Sequence, residues 1–163
     1  MTNSSASRLK YLNSILGFKP LSYAVMKGGP NNADLSGLVY FYQTELGTLV
    51  AADISGLPVS EACGFFGFHI HEGSICAGNS SDPFFDVGNH YNPNDRPHPC
   101  HAGDMPPLMA DNGYAFMVFL TDRISAKEII GHTVIVHSMP DDFTTQPSGS
   151  SGEKIACGEV KRW

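Results

Sequence analysis

The sequence predicts a single all-β domain, and three observations carry that prediction. Seventeen glycines and eleven prolines are scattered among short apolar runs and are not gathered into one tract, the pattern of many turns and short strands. The run Phe65-Phe66-Gly67-Phe68-His69-Ile70-His71 alternates at the period of two that a strand imposes on its side chains. With 163 residues, 42% of them hydrophobic, the chain has the length of one globular domain that buries a real core, and no second domain is needed.

Taken in order, residues 1–19 stand apart as an N-terminal extension from a β domain over residues 20–163. Leu9, Leu12, Ile15 and Leu16 recur at near-helical spacing after Ser5 and Ser7, which are suited to capping, and Gly17 followed by Pro20 is a stop signal. The expectation is a short amphipathic helix. A frayed extension is the competing reading, because an isolated helix of this length is marginal in water. From Leu21 the texture changes to strands, expected at Tyr23 to Met26, Leu38 to Gln43, Thr48 to Ile54, Gly64 to His71, Gly113 to Leu120, Thr133 to His137 and Lys154 to Val160. Turn signals such as Gly28-Gly29-Pro30-Asn31-Asn32 separate them. Between His71 and Gly113 lies a stretch of roughly forty residues rich in Gly, Pro, Asn and Asp, far longer than an ordinary connection. Something must hold a loop of that length.

Charge and hydropathy narrow the partners. A formal net charge of −6 argues against nucleic acid and against an anionic membrane surface. No apolar stretch approaches the ~20 residues of a membrane-crossing helix. The first twenty residues lack the continuous apolar segment of a secretory signal, so the expected compartment is cytoplasmic; a secreted or periplasmic protein is the reading if a leader has been removed. The four cysteines, Cys63, Cys76, Cys100 and Cys157, allow three pairings, among which spacing does not choose.

Six of the seven histidines, joined by one aspartate, form a spaced set of metal-ligand type: His69, His71, His90, His98, His101, Asp104 and His137. Imidazole suits copper and zinc. Two four-coordinate ions need roughly eight ligand positions, and seven side chains are on offer. One imidazole then serves both ions, which its two ring nitrogens permit once the last N–H proton is lost. His90, between the pair His69/His71 and the later cluster, is the natural choice; a single ion with other histidines around it would also account for the deficit. Period two places His69 and His71 on one strand face, with Phe66, Phe68 and Ile70 on the other. By the same logic Val134 and Val136 face inward, and His137 faces out with Thr133 and Ile135.

At this point four blocks, Gly67-Phe68-His69-Ile70-His71-Glu72, His90-Tyr91-Asn92-Pro93, His101-Ala102-Gly103-Asp104 and Gly152-Glu153-Lys154-Ile155-Ala156-Cys157-Gly158, resemble in order the signatures of copper/zinc superoxide dismutases. The resemblance covers about residues 22 to 160. It implies a Greek-key β-sandwich or flattened barrel with a long metal-binding loop. It implies copper held by His69, His71, His90 and His137, and zinc held by His90, His98, His101 and Asp104, with His90 bridging. Asp141 matches the position of a carboxylate that hydrogen-bonds one ligand of each ion, here His69 and His98. Cys76 and Cys157 match the family's intrasubunit disulfide. The implied reaction is disproportionation of superoxide to dioxygen and hydrogen peroxide by copper redox cycling, with zinc structural and His90 supplying a proton. The partners this implies are the superoxide anion and a copper-delivering protein, with assembly as a homodimer or a monomer left open.

Some positions depart from the family pattern. Lys154 stands where an arginine is usual, keeping the charge and losing the planar fork. Residues 138–153 carry Asp141, Asp142 and Glu153 and no cation, so anion steering is expected to be weak. Glu159 occupies a place that is apolar and buried between subunits in the eukaryotic form, which argues against that dimer. Cys63 and Cys100 fall outside the motifs; a second disulfide, a reactive or intruding thiol at Cys100, and a plain loop cysteine are the readings. His132 is assigned no role. Two rival functions are a metal-storage or copper-delivery module and a catalytically inactive relative. Neither is favoured, since all four copper ligands are present and soft donors for copper(I) are lacking. Replacing Lys154 by arginine is expected to raise the second-order rate of superoxide decay; an unchanged or lower rate in a pulse measurement counts against a catalytic role for this residue.

Overall fold

Alternation of buried and exposed side chains builds a curled antiparallel sheet whose concave face holds the core. The structure is a computed structural model that describes residues 5–59 and 64–163, with the side chains of residues 5–9 and Ile15 outside the description. Helix α1 (Ser5–Leu16) precedes strands β1 (Ser22–Gly28), β2 (Ser36–Thr44), β3 (Gly47–Ser55), β4 (Phe65–Phe66), β5 (Phe68–His71), β6 (Leu108–Met109), β7 (Tyr114–Thr121), β8 (Thr133–His137) and β9 (Lys154–Arg162). The main sheet runs β5-β8-β9-β1-β2-β3-β7, and β4 pairs with β6 apart from it. The chain passes from β3 to β5 and again from β7 to β8, from one end of the sheet to the other, which is the Greek-key crossing. Phe41 and Val50 from one half meet Phe66, Phe68, Ile70, Val134 and Val136 from the other in the main core.

Each strand expected from the sequence is present, with two departures. The run from Gly64 to His71 is two strands, because Gly67 gives its N–H to Met139 and its carbonyl accepts from His137. The chain thereby changes partner, from β6 before Gly67 to β8 after it. Strand β6 lies inside the stretch expected to be loop, where Pro106 and Pro107 leave room for only two paired residues.

Helix α1 forms, and its packing explains why. Leu12 and Leu16 sit against Tyr40, Tyr42 and Ala51 on the convex face of the sheet, and the Tyr42 hydroxyl donates to Asn13 Oδ1 at 2.6 Å. Tertiary burial supplies what an isolated helix lacks. Gly17, at φ +71°, closes the helix by donating its N–H to the Asn13 carbonyl at 3.0 Å. The capping roles of Ser5 and Ser7 and the side chains of Leu9 and Ile15 lie outside the described residues.

The long loop after β5 is held in two ways. Cys76 and Cys157 form a disulfide, with Cα atoms 5.8 Å apart, closing 81 residues of sequence, a closure worth about 4 kcal/mol in the loop-entropy account. Phe84 and Val87 then pack on Ile135 and Cys157. The expectation that Ile135 and Thr133 face outward is correct for the sheet but not for water, since both are fully buried, Ile135 under this loop. Glu159 serves the same anchoring, its Oε1 accepting the Cys76 N–H at 3.4 Å while Lys161 donates to Oε2 at 3.1 Å. Cys100 is a free, exposed cysteine, and a bridge to Cys63 falls outside the described residues.

Candidate metal centre

Two rigid strands and one stitched loop bring the ligands together. His69 and His71 project from β5, and His137 ends β8 where the pairing register shifts after Val136. The loop returns to β5 through its backbone: Tyr91 donates to the Ile70 carbonyl at 2.7 Å, Ile70 donates to Gly103 at 2.9 Å, and Gly103 donates to Tyr91 at 2.8 Å. A Cβ on Gly103 would lie 2.3 Å from the Ile70 oxygen, so the motif needs glycine there for two strands' worth of backbone to approach. His71 and His90 thereby face each other as an isolated bridge, as do His69 and Asp104.

The ligands fall into two four-donor groups, His69/His71/His90/His137 and His90/His98/His101/Asp104, each with its donor atoms within 4.8 Å of one another. His90 belongs to both. The seven side chains singled out in the sequence are the members of these two groups. All six histidines are buried.

Hydrogen bonds assign the tautomers. Asp141 lies 2.8 Å from His69 Nε2 and 2.9 Å from His98 Nε2. An ionised carboxylate only accepts, so both nitrogens carry the proton and both Nδ1 atoms keep lone pairs. Those two Nδ1 atoms are buried without a hydrogen-bond partner. His71 Nδ1 donates to the Gly88 carbonyl at 3.0 Å and His137 Nδ1 to the Gly152 carbonyl at 3.4 Å. Their Nε2 atoms then confront each other at 3.3 Å as two acceptors. Asp104 receives His90 Nδ1 at 2.8 Å and the backbone N–H of His101 at 3.0 Å; its oxygens also face His98 Nδ1 at 3.1 Å and His101 Nδ1 at 3.4 Å without a hydrogen bond, and His90 Nε2 has no hydrogen-bond partner. Buried acceptors turned toward one another need a cation between them. Nitrogen-rich for one group and nitrogen-plus-carboxylate for the other, the donors fit copper and zinc.

Electrostatics points the same way. Burial holds His71 well below the usual imidazole range, reinforced by the neighbouring His90 and His137. Burial and the His69 and His90 charges bring His137 down to about 3, with Lys154 adding to the effect. His69 and His101 are lowered too, in each case first by burial. Burial alone would raise the Asp141 carboxyl, yet hydrogen bonds from His69, the Phe143 N–H and His98 outweigh it and bring it down to about 2. Near neutral pH His69, His71, His101 and His137 are thus neutral imidazoles beside the ionised Asp104 and Asp141, ready to take up metal without first losing a proton.

Lys154 lines the same cleft as His90, His101 and His137. Its ammonium is ion-paired with Asp82 on the disulfide loop, a partner that sequence reasoning missed. Gln146 was missed as well; it brackets His98 by accepting its backbone N–H at 2.9 Å and donating to its carbonyl at 2.6 Å. The carbonyls of Gly88 and Gly152 that orient two ligands carry no side-chain signal in a sequence. Glu72, directly after His71, accepts from both the backbone and the side chain of Asn89 and so pinches the base of the loop. Cys100 belongs to neither donor group. His132 is half-buried, its ring tilted against that of Tyr91, and it donates to the Glu72 carbonyl at 2.9 Å.

A sequence model described as copper/zinc superoxide dismutase matches residues 35–160. The chain belongs to the copper/zinc superoxide dismutase family. Among its relatives, the Cu-Zn superoxide dismutase of Deinococcus radiodurans is 30% identical over 142 residues, 76% of each chain. Superoxide dismutase 1 (Cu-Zn) of Aquifex aeolicus is 32% identical over 142 residues, covering 77% of this chain and 79% of its own. The enzyme of Legionella pneumophila is 32% identical over 133 residues, 77% of each. The family's copper and zinc correspond in number to the two donor groups.

Two measurements test this reading of the site. Asp141→Ala frees the rings of His69 and His98 at once, and metal affinity is expected to fall about 10–100-fold, the usual cost of losing a partner that orients ligands; competition with a chelator reads it, and unaltered affinity for both ions would contradict the assignment. The metal-free protein is expected to lose stability as pH falls. His71 and His137 bind protons in the unfolded chain near pH 6.5 but in the folded one only toward about 3 for His137, so the unfolded state holds more protons throughout that window. Urea midpoints should decline steadily from pH 7 to pH 4, whereas a flat profile would refute the burial of neutral imidazoles.

Proposed function

We propose that the eight donor positions divide as the shared ring dictates: His69, His71, His90 and His137 hold copper, and His90, His98, His101 and Asp104 hold zinc. The chain is a superoxide dismutase by family, an oxidoreductase that converts superoxide to dioxygen and hydrogen peroxide. Copper, if bound by the first group, would supply the reversible one-electron step, and zinc, if bound by the second, would supply a fixed positive charge. The observation that carries the reading is the position of His90 in both donor groups, with Nδ1 on Asp104 and Nε2 buried and unpartnered toward the other histidines.

The protein's own atoms perform three tasks. Strands β5 and β8 keep His69, His71 and His137 stiff, because their hydrogen bonds to Asp141, Gly88 and Gly152 leave each ring a single productive orientation. His90 Nε2 is the atom at which a proton can be held beside the reacting oxygen, while Nδ1 stays engaged on the Asp104 side. Lys154 offers ammonium N–H groups at the cleft as the anion-receiving donor.

The storage or delivery reading is the weaker one. Neither donor group contains a thiolate or thioether, the ligands that retain copper(I). Reconstitution followed by metal analysis and direct superoxide decay tests the proposal. One copper and one zinc per chain are expected with rapid decay, and His90→Ala should leave both ions weakly held and the rate at least about a hundredfold lower, the lower end of what loss of one general acid accounts for. Full turnover by His90→Ala would refute the shared-ligand assignment.

A further inference from the structure

The cleft over the donor groups is poor in positive charge. Among the described residues that line it, Glu72, Asp82 and Glu153 are acidic and Lys154 alone is basic. Lys154 does not stand free, for its Nζ donates to Asp82 Oδ2.

Asp82 is built into its place. Its Oδ1 accepts the Phe84 N–H at 3.0 Å, and its own N–H donates to Asn79 Oδ1 at 3.0 Å. Asn79 Oδ1 also takes the Ser81 N–H at 2.9 Å and the Ser81 hydroxyl at 2.6 Å. The Asp82 carbonyl accepts from Asn79 and Phe85. Phe84 is buried against Ile135 and Cys157, next to the disulfide. One carboxylate oxygen is thus spent on a rigid turn, and the other is presented to Lys154.

We infer that Asp82 is a positioning residue that holds Lys154 at the cleft and cancels most of its long-range attraction for an anion. A lysine stem is flexible and its charge is a point. Pairing it with a fixed carboxylate converts that point charge into a dipole, whose pull fades faster with distance. Ammonium carries three N–H donors, so two remain for the anion once it arrives. The chain keeps a short-range donor at the copper side and gives up electrostatic steering. The absence of cations over residues 138–153 agrees with this, since nothing nearby restores the lost charge.

The inference rests on the dismutase reading only for the identity of the natural anion, so the test uses azide as well as superoxide. Asp82→Asn removes the charge and keeps an acceptor oxygen for the Phe84 N–H, while the amide NH2 in place of Oδ2 no longer accepts from Lys154. In the copper- and zinc-loaded protein it is expected to tighten azide binding, followed by visible absorption, about two- to fivefold, the scale of a partly exposed ion pair. The slope of log rate for superoxide against the square root of ionic strength should move in the negative direction. In a Lys154→Gln background the salt-slope change should persist, because the Asp82 charge repels an anion with or without the ammonium, whereas the gain in azide affinity should shrink, because no paired ammonium is left to be freed. Unchanged azide affinity and salt slope would overturn the inference, and so would an azide gain of equal size in the Lys154→Gln background. Asp82→Ser, whose hydroxyl can also cap Phe84, serves if the asparagine variant does not fold. Tighter azide binding without superoxide turnover in any variant would leave the Asp82 assignment standing and defeat the dismutase reading.

Discussion

Six buried imidazoles with lone pairs turned on one another are the constraint around which this molecule is arranged. The facing Nε2 atoms of His71 and His137, 3.3 Å apart, would repel without a cation, and the ring nitrogens of His69, His90, His98 and His101 that make no hydrogen bond, two of them facing Asp104 oxygens, add to the same demand. Such a cluster is tolerable only where metal ions answer it. Everything else holds the rings in that unfavourable arrangement before metal arrives. Asp141 does so from one side by accepting from one ring of each donor group, and the carbonyls of Gly88 and Gly152 do so from the other.

The division of labour between sheet and loop follows from stiffness. Strands β5 and β8 pair over four residues with alternating faces, so His69, His71 and His137 share a scaffold that also forms the wall of the core. His90, His98, His101 and Asp104 lie on a loop with little regular structure. Backbone hydrogen bonds to Ile70, the disulfide and the Phe84/Val87 contact give it the rigidity that regular pairing would have supplied. Stability and site geometry are therefore the same property here: the loop that buries Ile135 also aims Asp82 at Lys154.

The cleft is acidic in character, and among the described residues the one ammonium that lines it, that of Lys154, is already matched by a carboxylate. Attraction at long range is exchanged for a donor of fixed position, and the charge-poor stretch over residues 138–153 is consistent with an enzyme that does not depend on gathering its substrate from afar.

Much of this was legible in the residues alone. Period-two alternation marked the strands and set His69 and His71 on one face, and the arithmetic of seven side chains for two ions singled out His90, because coordination number and imidazole's two nitrogens are local chemistry. The docking of α1, the partner exchange at Gly67, the two-residue strand β6 and the burial of Ile135 were decided by tertiary structure, since each depends on what packs opposite. So were the pairing of Asp82 with Lys154, 72 residues apart, and the bracket of Gln146 around His98. A sequence states which donors exist; only the folded chain decides which acceptor each one reaches, because hydrogen bonds and ion pairs are fixed by distance in space and not by spacing along the backbone.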